Sequence, residues 1–136
     1  MDFQGTIQLT RQDARRLRFM AEALAAHSQG IQKQLRVLDG LIGSALLLEA
    51  TQTPANVVTI GSRIIVEDLS SGELKEIELV FPEESNPLAW KLSVLSVIGC
   101  AVLGRAVGDR VVMETDRGNL QLRIAALVYQ PEAHRL

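Results

Sequence analysis

The most constraining feature of the sequence is a change in its hydrophobic pattern between residues 51 and 56. Before it, apolar residues recur every three or four positions, the period of a helix packed on one face. After it, β-branched residues alternate with polar ones between glycine-containing turns, which is typical of short strands. The junction is polar and contains Pro54, as expected of a linker. We therefore predict an α+β chain, with a helical unit over residues 1–53 and a β-rich unit over residues 54–136.

Two amphipathic helices are predicted in the first unit. Thr10 can cap the first helix, Asp13 completes a capping-box pattern, and Gly30 is placed to end it. The second helix is expected from about Ile31 to Glu49, because its apolar positions step by four and three along an a/d-like seam: Ile31, Leu35, Leu38, Ile42 and Ala45, broken at Glu49. Such helices, joined by a tight turn, form an antiparallel hairpin. This short coiled coil would have arms of about 30 Å at ~1.5 Å per residue.

The second unit is predicted to be a small sheet with one short helix. The patterns favour strands over residues 57–60, 63–68, 73–81, 90–95, 110–115 and 120–129, with a bulge near Glu76. The short helix is expected over residues 97–103, since Ser96 is a good N-cap and Gly104 a good terminator. Trp90, the only tryptophan, is expected to anchor the core. Cys100 lies among apolar neighbours, which predicts a buried, inert thiol.

Charge and composition narrow the classes of function. The formal net charge is −2, which argues against direct, sequence-specific binding of nucleic acid through a basic face. A single cysteine allows no intrachain disulfide and fits a reducing cytoplasm. No apolar run approaches the ~20 residues of a membrane-spanning helix, and the first residues lack a signal-peptide pattern. We expect a cytoplasmic protein that does not bind a membrane.

Several segments of the second unit resemble the Gre-factor (GreA/GreB) family of bacterial transcription elongation factors. Residues 56–64, Asn-Val-Val-Thr-Ile-Gly-Ser-Arg-Ile, are similar to the family's opening strand. Residues 101–109, Ala-Val-Leu-Gly-Arg-Ala-Val-Gly-Asp, are similar to its Ala-Leu-Leu-Gly-x-x-Val-Gly-Asp segment. Residues 127–133 and the turn at 69–73 resemble one branch in particular, the regulators of nucleoside diphosphate kinase. Two departures are Ile60-Gly61 in place of Met-Asn, and Ser96-Val97 where Gre factors often have Ser-Pro.

The resemblance implies an FKBP-like fold for the second unit and docking at the rim of the secondary channel of bacterial RNA polymerase. In Gre factors the hairpin enters that channel, and two acidic residues at its tip help to hold a metal that cuts backtracked RNA. The tip expected here, residues 26–32, contains no Asp or Glu. The nearest acids, Glu22 and Asp39, would lie roughly 12 Å back along the helices. We therefore expect no catalytic residue, no metal site and no cofactor.

The predicted function is that of a non-enzymatic regulator that binds bacterial RNA polymerase near the secondary channel and competes there with Gre factors. Candidate partner-binding residues are those of the tip and of the loop before the short helix: His27, Ser28, Gln29, Ser96, Val97 and Ile98. For the tip histidine, the competing interpretation is a simple exposed turn residue. For the loop, it is helix capping by Ser96 alone.

Two alternatives stay open at this point. The first is a true Gre-type transcript cleavage and elongation factor whose acids come from elsewhere. The second is a free-standing FKBP-like interaction module that forms a homo-oligomer through its hairpin. An apolar cluster wider than a two-helix seam requires motivates the second alternative: Leu41, Leu46, Leu47 and Leu48.

Overall fold

A computed structural model of the protein describes residues 6–27 and 30–134 and contains the predicted helical hairpin. Its two helices are α1 (Arg11–His27) and α2 (Gln32–Ser44). The predicted cap is confirmed, since Thr10 Oγ1 accepts a hydrogen bond from the Asp13 N–H at 2.9 Å. The predicted seam is also buried where α2 faces α1, with Leu38 at 0% exposed and Ile42 at 2%. At ~1.5 Å per residue the two helices are about 25 and 20 Å long.

The second helix ends five residues before its predicted end. Ala45 is extended, and residues Leu46–Leu48 form a strand, β2, that pairs in parallel with β1 (Gln8–Thr10). Two physical causes act together. Gly40 and Gly43 lower the stability of the last helical turns. The Leu46 N–H donates a hydrogen bond to the Ile7 carbonyl at 2.9 Å, which favours the extended backbone.

This strand removes the observation that motivated self-association through the hairpin. Leu46, Leu47 and Leu48 do not extend a helical apolar face. Leu47 packs against the core, while Leu46 is 51% exposed. Leu9, which lies in β1 opposite Leu47, is buried.

The second unit is a five-stranded sheet in the order β5-β4-β3-β7-β6. Strands β4 and β5 run parallel, and the other neighbours are antiparallel. The strands are β3 (Arg63–Asp68), β4 (Leu74–Val80), β5 (Lys91–Ser93), β6 (Arg110–Thr115) and β7 (Gly118–Tyr129). A short helix, α3 (Val97–Val102), packs against β5 and β6. The bounds predicted for β3 and β6 are confirmed.

Three details of the predicted sheet are wrong. Residues 57–60 form no strand, because Val57 makes only an isolated bridge, to Ala106. The bulge is not at Glu76, where β3 and β4 stay in regular register; the two register shifts of the sheet lie between β3 and β7, at Arg63/Ile64 and Ile65/Val66. Trp90 does not anchor the core. It has a left-handed backbone (φ 57°) after a 3-10 turn and is 40% exposed, with the Lys75 ammonium 4.9 Å from its ring centroid.

The base of the hairpin and the sheet share one aliphatic core. Leu17 and Leu38 belong to the same buried cluster as Ile64 and Ile124, all at 0% exposure. Asp13 reinforces the junction: it is 3% exposed, and its Oδ2 accepts a hydrogen bond from the Ile60 N–H at 3.3 Å. The hairpin therefore projects from a fixed base. Within the described residues, no helix is long and apolar enough to cross a membrane.

Candidate functional site

The loop between β5 and α3 is held by a dense set of local hydrogen bonds. Ser96 Oγ accepts the Gly99 N–H at 3.0 Å, which confirms Ser96 as the cap, and donates to the Ser93 carbonyl at 2.6 Å. The Leu95 N–H donates to Ser93 Oγ at 3.0 Å. Because these bonds fix both ends of the loop, Val97 is presented at a defined position at the start of α3.

Gly99 makes this compact arrangement possible. A Cβ built on Gly99 would lie 1.9 Å from the Ser93 carbonyl oxygen and 2.9 Å from Ser96 Oγ. Real Cβ atoms do not approach other atoms so closely, so any other residue would push α3 away from the end of β5. The glycine is thus required by close packing and not by a left-handed backbone.

A cleft of about 650 Å³ lies between α2, the start of α3 and β6. Its walls are mainly aliphatic, and three of its valines come from three different elements and are half exposed: Val37 (50%), Val97 (53%) and Val112 (50%). Charged side chains complete the lining: Lys33, Arg105 and Glu114. An apolar depression with a few charges at its border is the usual composition of a binding surface.

Cys100 also lines this cleft and is partly buried. Burial raises the pKa of its thiol above the ordinary value of 9.0. The thiol is therefore neutral at physiological pH and a poor nucleophile, in agreement with the predicted inert role.

The hairpin tip lies at the other end of α2 from the core. His27 is exposed at the end of α1, and Gly30 has a left-handed backbone (φ 90°), with its N–H donating to Gln32 Oε1 at 2.8 Å. Ser28 and Gln29, the other two tip candidates, lie outside the described residues.

The two acids nearest the tip lie along the shaft. Glu22 and Asp39 line a groove together with Arg18 and Arg36, between the two helices. Across the described part of the chain, no three His, Cys, Asp or Glu side chains gather where they could hold a metal ion.

The structure brings together only some of the residues that the sequence predicted. Ser96 and Val97 line the cleft, whereas Ile98 packs against the core and His27 is at the tip. The prediction missed Val37 and Val112, whose positions become meaningful only when α2 and β6 are placed side by side. In the sequence, the only sign of this surface was that Val37 lies outside the buried seam of α2.

These features coincide with a known family. Residues 53–129 match the family described as transcription elongation factor, GreA/GreB, C-terminal. The chain belongs to this family.

Individual relatives agree with this assignment. The "Regulator of nucleoside diphosphate kinase" of Escherichia coli K12 is 35% identical over 97 residues, covering 71% of each chain. The "Transcription inhibitor protein Gfh1" of Thermus thermophilus is 32% identical over 108 residues, covering 78% of this chain and 68% of the relative. A "Transcription elongation factor GreA" from Solidesulfovibrio magneticus is 26% identical, and the chain spans 65% of its length.

Solved structures show the same fold. The GreA/GreB transcription elongation factor of Nitrosomonas europaea superimposes with a TM-score of 0.75 at 28% identity, over 91% of this chain and all of the other. A structure of Gfh1 gives a TM-score of 0.52 at 23% identity, which supports the fold alone. The expected GreA/GreB resemblance, with its link to nucleoside diphosphate kinase regulators, is confirmed.

Proposed function

We propose that this chain is a non-enzymatic transcription regulator that binds bacterial RNA polymerase near the secondary channel and competes there with Gre factors. The observation that carries the proposal is the position of the acids nearest the tip. Glu22 and Asp39 line a groove on the hairpin shaft beside Arg18 and Arg36, and the tip sequence over residues 26–32 contains no carboxylate.

Metal-assisted cleavage of RNA needs hard oxygen ligands at the point that meets the transcript. Glu22 lies five residues before the end of α1, and Asp39 seven residues after the start of α2. At ~1.5 Å per residue this places them about 8 and 10 Å from the ends of their helices. The hairpin would therefore fill space in the channel without presenting a metal, so the chain would regulate by occupancy and need no cofactor.

The names of two relatives support this mode of action. One relative is a transcription inhibitor, and another is a regulator of nucleoside diphosphate kinase. Competition for a shared site is the simplest way for a Gre-family chain to inhibit.

The proposed polymerase-binding surface has two parts. One is the tip, with His27, Ser28 and Gln29, and the other is the loop before α3, where Ser96 and Val97 face the cleft and Ile98 fixes the helix on the core. The second unit, residues 54–136, would be an FKBP-like domain that follows the hairpin unit of residues 1–53. The chain would bind RNA polymerase in the cytoplasm.

Co-elution with RNA polymerase core tests the proposal. The full chain should co-elute with core enzyme, and an excess of a Gre factor should displace it. Val97→Asp should weaken co-elution about tenfold or more, because it places a charge in an apolar contact. Leu88→Asp is the matched control: Leu88 is 97% exposed and lies outside the cleft, so its change should leave co-elution unaltered.

The alternatives give different outcomes. Metal-dependent shortening of RNA in stalled complexes by the pure protein would identify a cleavage factor. A protein that polymerase never retains, with or without a competitor, would instead favour an independent interaction module.

A further inference from the structure

Strand β6 forms one edge of the sheet and pairs only with β7 in the part of the chain that the structure describes. Its register sets Val112 opposite Gln121, whose carbonyl accepts the Leu69 N–H at 3.0 Å on the β3 side. In an antiparallel pair, two residues directly opposite each other either both point their N–H and C=O groups toward each other or both point them away, and these two cases alternate along the strand. Because Gln121 points its carbonyl away from β6, Val112 points its own main-chain groups away from β7. The N–H and C=O groups of Arg110, Val112 and Glu114 therefore point outward from the sheet.

This outward edge is accessible. Four consecutive residues, 111–114, line the cleft described above. Since successive side chains point to opposite faces of a sheet, the surface that all four share is the main-chain edge itself. Exposed edges are commonly protected by proline or lysine, and the sequence of β6, Arg-Val-Val-Met-Glu-Thr, contains neither.

The side chains of β6 form a self-complementary pattern. Arg110, Val112 and Glu114 are exposed on one face, and Val111 and Met113 are buried on the other. The positive charge and the negative charge are each two residues from Val112, on opposite sides. When two copies of this strand run antiparallel, the positive residue of each can therefore lie opposite the negative residue of the other.

We propose that β6 pairs antiparallel with β6 of a second copy of this chain, around a two-fold axis at Val112. This register lets all three outward-facing residues of each strand form close main-chain pairs. Arg110 then lies opposite Glu114 of the second copy at both ends, and Val112 lies opposite itself at the centre. The two sheets become one, through an isologous interface.

Registers in which the two-fold axis between the β6 strands is shifted by one residue are less stable. Moving the axis to Val111 sets Arg110 opposite Val112, and moving it to Met113 sets Glu114 opposite Val112. Each shift leaves one outward-facing residue per chain without a main-chain partner and separates the opposite charges. Opposite charges directly across a strand pair stabilise it, and like charges destabilise it.

A charge exchange tests this dimer without any other protein. By sedimentation equilibrium, the mass of the full chain should rise from 14.9 kDa toward twice that value with increasing concentration. Arg110→Glu and Glu114→Arg should each weaken self-association about tenfold or more, because each sets like charges opposite one another at both ends. An equal mixture of the two variants should form dimers again, since every acidic side chain then faces an arginine.

Controls separate the interface from the fold. Lys91→Glu makes a comparable charge change on β5, the opposite edge of the same sheet, and should not alter the dimer. The double variant Arg110→Glu, Glu114→Arg should dimerise like the original chain. At a concentration low enough for every variant to be monomeric, circular dichroism should show the same thermal midpoint for all of them, since dimerisation itself would raise the midpoint of those that pair.

Two results would overturn the inference: a monomer at every concentration, or a dimer that none of the charge changes affects. If the chain is a monomer and its β6 amides become protected from hydrogen exchange only when an extended peptide of another protein is added, the edge belongs to a different occupant.

Discussion

Replacing Gly99 by alanine should destabilise the protein more than an ordinary glycine substitution, because the new Cβ has no room. It would lie 1.9 Å from the Ser93 carbonyl oxygen, 2.8 Å from the carbonyl carbon and 2.9 Å from Ser96 Oγ. The contact is with the main chain, which cannot rotate away as a flexible side chain could. The oxygen would have to retreat by about 1 Å to reach an acceptable distance.

That retreat breaks the bonds that shape the loop. The Ser93 carbonyl accepts both the Ser96 N–H at 2.9 Å and the Ser96 hydroxyl at 2.6 Å. Two hydrogen bonds at about 1 kcal/mol each, with ~1–3 kcal/mol for overpacking, give a loss of about 3–5 kcal/mol. For a chain of this size, that corresponds to a fall in Tm of roughly 10–20 °C.

Urea unfolding followed by circular dichroism measures this loss, and Gly40→Ala is the matched control. Gly40 lies inside α2, and its added Cβ would meet nothing within 4 Å. Its replacement should stabilise the chain by about 0.5–1 kcal/mol through helix propensity. Because both variants make the same change in the unfolded chain, their difference reports on the folded state alone.

A Gly99→Ala variant within about 0.5 kcal/mol of the original chain would refute this account of the loop. Unchanged stability in Gly99→Ala, together with weakened co-elution with polymerase, would show instead that the loop moves as a unit and matters only for binding.

Three further predictions concern single side chains. Thr10→Val should cost about 1 kcal/mol in urea unfolding, because it removes the hydroxyl that accepts the Asp13 N–H; an unchanged midpoint would contradict the capping role. Alkylation of Cys100 by iodoacetamide near pH 8 should be slow in the folded chain and fast in urea, because burial raises the thiol pKa above 9.0. The neutral thiol also favours the fold below that pH, and this contribution is lost as the pH rises beyond it. The Ser70 hydroxyl and N–H donate hydrogen bonds to Asp68 Oδ1 at 2.7 and 2.9 Å and lower the pKa of that carboxyl below 3.8. The ionised carboxylate therefore stabilises the fold above pH 3.8, and this stabilisation is lost in stronger acid. In an NMR titration, Ser70→Ala should move that pKa back toward 3.8, and an unmoved pKa would show that the hydroxyl is not its cause.

Short-range signals predicted most of the elements. Thr10 and Ser96 cap the helices that follow them, and the bounds of β3 and β6 agree with the alternation of their residues. Each of these signals depends on residues within about four positions of one another. The partner-binding candidates at residues 96 and 97 came from such a signal combined with a family resemblance.

Signals that depend on distant residues were misread. The run Leu46–Leu48 continues a helical pattern, and only pairing with β1, nearly forty residues earlier, makes it a strand. Trp90 is large and apolar, which favours burial in general, but the turn before it directs the ring outward onto Lys75. Val37 and Val112 carry no sign of a shared surface until the fold places α2 beside β6.

The sequence by itself determined the division into helical and β-rich patterns, the helix caps, most strand bounds and the lack of acids in the tip segment. These follow from periodicity, capping and residue identity, all of which are local or positional. The tertiary structure alone decided where the second helix stops, which strand became the open edge and which side chains form the cleft. Such properties arise from contacts between segments far apart in the chain, whose free energies no local pattern contains.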